Sequence, residues 1–392
     1  MMATAKPTKN QLKFLDWEFG VFFHFGIRTF YEGHRDWDGH EAEMVPAGFD
    51  PPQIDCDGWI RSVKEGGAKY AILTAKHHDG FANWPSAYSD YSVKNTPYKN
   101  GKGDVVREFT DACRKYGIGV GLYYSPAQFG FTFVDAKAYD DYFVNQMTEL
   151  LSNYGKIDYL WFDGCGSGDH QYDWGRIIGE IRRLQPDIMI FGFGNDTGWV
   201  GNEEGVTPFG MPNGSATAFC PYECDCKMRR DNWFFSEKDE DRVRSVDDLC
   251  GLWYYSVGRG NNLLLNIGPD REGKLPEKDV AALLGMRREL DRRFAAPIPY
   301  TLQRRGDRFV LHLEKGSMVN TVVLSEDLTD GQKIRAFSIG SGDDNMHLYD
   351  GKCVGHKQIV TFPPYYFRDL CLEITDAEEG FVLKSVQLYY VR

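Results

Sequence analysis

The sequence predicts an α/β protein, a (β/α)8-type barrel followed by a C-terminal β-sandwich. Two observations carry this expectation. From about residue 19 to 296, short continuous apolar runs alternate with helix-length amphipathic runs, as in a parallel sheet covered on both faces. From 300 to 392, short β-branched and aromatic runs lie between Gly and Asp turns, as in antiparallel hairpins. The 392 residues leave room for both, since a barrel takes roughly 250–300. The division is expected at Ala295-Ala296-Pro297-Ile298-Pro299, giving a catalytic barrel over 1–296 and a sandwich over 297–392. A doubly wound open sheet is the competing layout for the first part.

The elements follow in order. Phe19 to Phe25 reads as a first strand, Asp57 to Glu65 as a helix, and Tyr70 to Thr74 as a second strand ended by Lys76-His77-His78-Asp79-Gly80. Asp104 to Tyr116 places Val105, Val106, Phe109, Ala112 and Cys113 on one helical face. Gly119 to Ser125 is a third strand, Ala136 to Tyr154 a long helix, and Tyr159 to Gly164 a fourth strand ending on an acid. A helix over 172–184 leads to the strand Ile188 to Phe193. Beyond about 195 the period weakens and loops dominate, until a buried strand, Leu263 to Gly268, precedes a helix over 277–293. Phe309 to Leu313, Thr321 to Leu324 and Val382 to Val391 are strands of the second part.

Composition narrows the function. With 42% hydrophobic residues a large core is available and disorder is not expected. Aromatics reach 15%, which suits sugar binding and a large barrel core alike. The net charge is −12 and Lys and Arg form no stripe, so neither nucleic acid nor an anionic membrane surface is an expected partner. The N-terminus lacks an apolar signal core, so a cytoplasmic chain or a mature secreted or periplasmic form is expected. Nine cysteines leave at least one thiol unpaired within the chain, and the spacing of Cys220, Cys224 and Cys226 is a weak zinc pattern. No glycine-rich phosphate loop follows the first strand and no Gly-x-Ser-x-Gly elbow occurs, which disfavours nucleotide enzymes and serine hydrolases.

The residues that could do chemistry sit at strand ends, which converge on one rim of a barrel. His24 ends the first strand, His77 and His78 the second, Tyr123 and Tyr124 the third, and Asp163 the fourth. Adjacent histidines on extended backbone point to opposite sides, so a turn, supplied by Gly80, is needed for both to face a pocket. Neutral His and Tyr each give and accept hydrogen bonds, as a hydroxyl-rich ligand requires. Three His and an Asp are also a metal-ligand pattern, but no helix-borne pair exists and no metal or other cofactor is expected. A glycosidase needs a second carboxyl beside Asp163. Glu203, Glu204, Glu223 and Asp225 are the candidates, each of which is equally a solvated loop acid. The run Cys224 to Arg230, ending near Trp233-Phe234-Phe235, reads as a binding rim with Arg230 and Trp233 in it, or as a folded loop.

Taken together, these runs resemble the α-L-fucosidases of glycoside hydrolase family 29. The resemblance rests on Phe22 to Gly26, on Leu73-Thr74-Ala75-Lys76-His77-His78-Asp79-Gly80-Phe81, on Gly103 to Val106, and on Trp161-Phe162-Asp163-Gly164. It continues through Trp199-Val200-Gly201-Asn202-Glu203, Glu223-Cys224-Asp225 and Asn262 to Pro269. It implies a retaining exo-hydrolase with Asp163 as nucleophile and Glu203 as acid/base, the latter as in the subgroup that resembles α-1,3/1,4-fucosidases. It also implies fucose-binding positions at His24, His77, His78 and Tyr123, and pocket walls at Trp84 and Trp233. Two departures bear on the substrate. Asp36-Trp37 stands where the subgroup usually has Glu-Trp-Gly, and Ala127-Gln128-Phe129 stands where the family often has Trp-Asp-Arg. Asp36 is one methylene shorter than Glu, so its contact to a sugar hydroxyl is lost or water-bridged. The expected partner is a fucosylated oligosaccharide or glycan, with homo-oligomerisation left open. The alternatives are a non-catalytic carbohydrate-binding protein and a glycosidase for a related sugar such as an α-L-galactoside.

Overall fold

A computed structural model describes residues 4–32, 44–130, 133–164, 166, 168–193, 196–342 and 346–392. Eight parallel strands form one sheet: β1 (Phe19–Phe23), β2 (Tyr70–Lys76), β3 (Gly119–Tyr124), β4 (Tyr159–Phe162), β5 (Met189–Phe191), β6 (Gly198–Trp199), β7 (Tyr222–Lys227) and β8 (Asn262–Asn266). Their spatial order is β5-β4-β3-β2-β1-β8-β7-β6. Among the described residues, one parallel bridge, Phe191 to Thr197, joins the two ends and nearly closes the barrel. Helices α2 (Cys56–Glu65), α3 (Val105–Tyr116), α4 (Ala136–Asn153), α5 (Trp174–Leu184), α6 (Val246–Tyr255) and α7 (Glu277–Phe294) follow β1, β2, β3, β4, β7 and β8. Among the described residues, no α-helix follows β5 or β6.

Sequence sets these elements locally. In α3, the Asp104 carboxylate accepts from the Arg107 amide at 2.9 Å and Gly117 ends the helix in the left-handed region. The expected face of Val105, Val106, Phe109, Ala112 and Cys113 is buried between helix and sheet. The inner face of the barrel is aromatic. Phe22, Tyr70, Ile72, Tyr123, Tyr159, Trp161, Met189, Phe191 and Leu264 pack there in one cluster with Phe14. Phe14 belongs to the N-terminal helix α1 (Lys9–Trp17), which stoppers the barrel opposite the rim; its ring lies 5.2 Å from Tyr159 and 5.9 Å from Tyr70. Gly20, across the ladder from Tyr70, makes room for that ring: a Cβ there would come within 2.4 Å of it.

The rest of the chain is an antiparallel sheet of β9 (Thr301–Arg305), β10 (Arg308–Glu326), β11 (Ile334–Ser341), β12 (His347–Gly351), β13 (Gln358–Ala377) and β14 (Leu383–Tyr389). Its order is β12-β11-β13-β10-β14, with β9 also on β10. The long strands β10 and β13 pair with register shifts at His312/Ser317 and Val319/Thr321. One core draws on both halves of β10, Phe309 to Leu313 and Val319 to Leu324, as in a sheet folded over on itself. Val323, Ile359 and Tyr389 pack on Trp253, Tyr254 and Phe294 of α6 and α7, joining the sheet to the barrel. The predicted barrel followed by a β-rich part is therefore what forms. Four elements of the first part went unread: α1, β6, β7 and α6. No helix among the described residues is long and apolar enough to cross a membrane.

Candidate active site

The rim at the carboxyl ends of the strands surrounds a cavity of about 1010 Å³. Strand parity selects what lines it. Side chains alternate along a strand, so Tyr159, Trp161 and Asp163 share one side, as do Phe22 and His24. The first of each set fills the barrel and the last reaches the cavity. His24, His77, His78, Tyr123, Asp163, Glu203 and Trp233 all line this one space. The two acids expected to act together are thus brought to the same cavity from β4 and from the loop after β6.

The two histidines after β2 both face the cavity because the chain turns there. The Gly80 amide donates to the His77 carbonyl at 3.0 Å with Gly80 at φ +83°, and the two rings lie 4.2 Å apart. Burial holds all three imidazoles neutral. His24 is pulled down to about 3, chiefly by burial against the support of Asn266. His77 and His78 are lowered for the same leading reason, with Asp163 pulling His78 the other way. A neutral ring has one donor and one acceptor, and the neighbours assign them. Asn266 Nδ2 donates to the Trp233 carbonyl, so its Oδ1 accepts from His24 Nδ1 at 2.7 Å. Ser125 Oγ donates to the Ala127 carbonyl, so it accepts from His78 Nδ1 at 2.5 Å. Both rings are left with Nε2 as an acceptor. His78 Nε2 lies 3.8 Å from Asp163 Oδ2, too far for a hydrogen bond. His77 stacks on Tyr123, and its buried Nδ1 has no hydrogen-bond partner among the described residues.

Asp163 is 28% exposed and accepts from the Tyr123 hydroxyl at 2.9 Å. The other candidate acids separate by position. Glu223, inside the barrel, accepts from Trp161 Nε1 at 2.8 Å, Tyr159 at 3.3 Å and Tyr70, and burial pushes it up to about 8. It does not line the cavity, and neither does the exposed Glu204. Asp225 does; burial, against a hydrogen bond from Trp199 Nε1 at 2.7 Å, pushes it up to about 7. Glu203 and Asp163 both bear on it electrostatically.

Two expected binding residues are corrected. Trp84 is buried in the core outside the barrel, where its indole donates to Glu149 on α4 at 2.9 Å. Arg230 points to Asp248 on α6 and is not part of the lining. Asp36 and Trp37 lie outside the described residues. The Ala127-Gln128-Phe129 departure lies beneath His78 rather than in the cavity: Phe129 N donates to the His78 carbonyl at 2.8 Å, and Gln128 Oε1 accepts from Lys76 Nζ at 3.2 Å. Burial brings Lys76 down to about 7. Sequence reasoning missed this support layer. It includes Asp79, next to the histidines, whose 2.9 Å pair is with the buried Arg28 of the cavity lining. Residues seated under a site carry no motif; only the run of polar residues at the end of β2 hinted at them. Among the described residues, no three His, Cys, Asp or Glu side chains are grouped to hold a metal ion.

Comparisons with known proteins bear on what this arrangement does. The family model for alpha-L-fucosidase matches residues 2–292. Alpha-L-fucosidase 1 of Arabidopsis thaliana is 31% identical over 91% of this chain and 81% of its own length. The tissue alpha-L-fucosidase of Homo sapiens is 25% identical over 78% of this chain and 74% of its own. A glycoside hydrolase 29 family member from a rumen bacterium superposes with a TM-score of 0.92 at 31% identity, covering 100% of this chain and 78% of that one. With that match over the whole barrel, the chain belongs to the α-L-fucosidases of glycoside hydrolase family 29 and is a glycoside hydrolase.

Proposed function

We propose that the protein is a retaining, exo-acting α-L-fucosidase that removes terminal α-1,3- and α-1,4-linked fucose. The observation that carries the reading is that Asp163 and Glu203, far apart along the chain, line one cavity with three neutral histidines. The cavity ends on Phe22, Tyr123 and Trp161 at the barrel axis, which suits a terminal sugar. In this reading the Asp163 carboxylate attacks the anomeric carbon and forms an ester as the C1–O bond breaks. The leaving oxygen departs with the proton of Glu203. Water then attacks the same carbon, gives its proton to Glu203 and releases Asp163, so two inversions leave the configuration retained. Tyr123 steadies the nucleophile through its 2.9 Å hydrogen bond. His24 and His78 offer Nε2 acceptors to sugar hydroxyls, and His77 lines the same pocket beside Tyr123. We place the boundary between barrel and β-rich part at 296/297, between the last residue of α7, Phe294, and the first of β9, Thr301.

Turnover of a nitrophenyl α-L-fucoside by Asp163→Ala should fall by about 10⁴ or more, and unchanged turnover removes Asp163 from the mechanism. Azide should restore Glu203→Ala on an activated fucoside, as an α-fucosyl azide, since azide takes the place of water in the second inversion. Failure of that rescue shifts the acid/base role to another carboxyl of the cavity lining, Asp225, Glu32 or Asp231. The linkage is tested with α-1,2, α-1,3, α-1,4 and α-1,6 fucosyl oligosaccharides.

A further inference from the structure

The deep part of the cavity and its mouth are built from different materials. His24, His77 and His78 are all buried. Two large aromatics that line the same cavity are instead well exposed, Phe193 at 41% and Trp199 at 46%. Exposed apolar rings cost solvation and mark contact surfaces when they are grouped at a cavity. Both are also held in fixed orientations. Phe193 stacks on Trp174 with centroids 3.9 Å apart and planes 13° from parallel. Trp199 is anchored by its Nε1–Asp225 hydrogen bond of 2.7 Å, and Asp225 is buried. The segment carrying Trp199 is fastened to β7 twice more, through Val200 N to the Glu223 carbonyl at 3.2 Å and through the Glu204–Cys226 bridge. Rings ordered before binding lose little entropy when a partner lands on them.

Their position matters as much as their exposure. Phe193 follows β5 and Trp199 ends β6, so they flank the corner of the barrel where no α-helix covers the connections among the described residues. Glu203 leaves the same corner, a few residues past Trp199. A group that protonates a glycosidic oxygen lies on the side from which the aglycone departs.

We propose that Phe193 and Trp199 form the platform for the sugar ring of the leaving group, with Asp225 as a positioning residue that fixes the Trp199 indole. The ligand class is a pyranose presenting a C–H face, the unit to which the terminal fucose is linked. The proposal rests on the fucosidase reading and adds to it the residues that grip the other side of the bond. They act on substrates with a sugar aglycone and have nothing to hold when the leaving group is a single atom.

The test compares two substrates. α-L-fucosyl fluoride has no aglycone ring, whereas an α-1,3- or α-1,4-fucosyl oligosaccharide does. In Trp199→Ala, and separately in Phe193→Ala, kcat/KM should fall about tenfold more on the oligosaccharide than on the fluoride. Trp199→Phe, which keeps a ring but not the indole N–H, should recover part of that difference. Residual fluoride turnover reports that each variant is folded. Equal losses on the two substrates in both alanine variants overturn the platform while leaving the hydrolase intact. A wild-type protein inert toward the fluoride overturns the fucosidase reading itself, and the platform with it.

Discussion

Strands β1 to β4 each run into a helix, whereas β5 and β6 run into loops, and the two sectors supply the cavity differently. The regular sector contributes His24, His77, His78, Tyr123 and Asp163, rigidly backed by Asn266, Ser125 and the aromatic barrel interior. The irregular sector contributes Glu203 and the exposed rings Phe193, stacked on Trp174, and Trp199, hydrogen-bonded to Asp225 of β7. A sugar that is always the same can be met by rigid, buried, neutral groups. A leaving group that varies, and a proton that must move, are met at the open edge, where the connections carry no α-helix among the described residues. Common machinery on the regular strands, with the pieces that differ between substrates on the loops, is the division expected of a barrel enzyme.

The largest effect that would break this comparison lies in the regular sector. His24→Phe keeps ring contact with Phe22, whose centroid is 4.5 Å away, and with Trp233 at 5.0 Å. It loses both ring nitrogens. If His24 orients the sugar, kcat/KM on a nitrophenyl α-L-fucoside should drop about 100-fold. A change within twofold would reduce the ring to packing. Because burial holds His24 down at about 3, and lowers His77 and His78, the imidazoles should contribute no step to the kcat/KM profile near pH 6.5.

Glu223 sharpens the comparison, since it sits beneath both sectors and belongs to neither. Its folded pKa, pushed up to about 8, exceeds the unfolded value of about 4.3. Folding therefore favours the protonated carboxyl. Its stability contribution is fully present below about pH 4.3 and is lost as the pH rises toward 8. Glu223→Gln removes that proton. Wild type should lose on the order of 4 kcal/mol more stability than the variant between pH 4.5 and 8.5, at most. Urea unfolding at both pH values reads this directly. Glu326, pushed up to about 7 in the C-terminal sheet, titrates in both proteins and cancels in the difference. Parallel pH dependence would mean that Tyr70, Tyr159 and Trp161 hold the carboxylate ionised.

Legibility in the sequence followed the same division. β1 to β4 are buried on both faces, so their apolar runs announced them, and the strand-end residues followed by position. β7 was hidden because Glu223 and Asp225 occupy its inward positions, breaking the apolar run that marks a core strand. Such a strand is recognisable only once Tyr70, Tyr159, Trp161 and Trp199 are seen to satisfy its carboxyls. β6 has two residues, too few for any period to show. α6 has an apolar stretch, Leu249-Cys250-Gly251-Leu252-Trp253-Tyr254-Tyr255, whose period is blurred because it packs on both α7 and the C-terminal sheet.

The smallest expected effects concern Trp84 and Arg230, and they ask how far a motif position may be carried over without geometry. Trp84 sits beside the histidine run in sequence, yet the chain reverses after Gly80, and Asn83 is tied back to the Phe25 and Thr74 carbonyls at 2.7 and 2.8 Å. That reversal turns the indole outward to Glu149, which also accepts from the Ser86 hydroxyl at 2.7 Å and the Ala87 amide at 2.7 Å. Trp84→Phe should therefore cost stability, about 1–2 kcal/mol for the lost hydrogen bond and some volume, while kcat/KM stays within twofold. Arg230→Ala removes a half-exposed ion pair with Asp248, for which a change within about 0.5 kcal/mol and unaltered KM are expected. A KM that rises tenfold in either variant, with Tm unchanged, would show that the residue reaches the sugar in the bound state. It would also shift the boundary between the regular and irregular sectors.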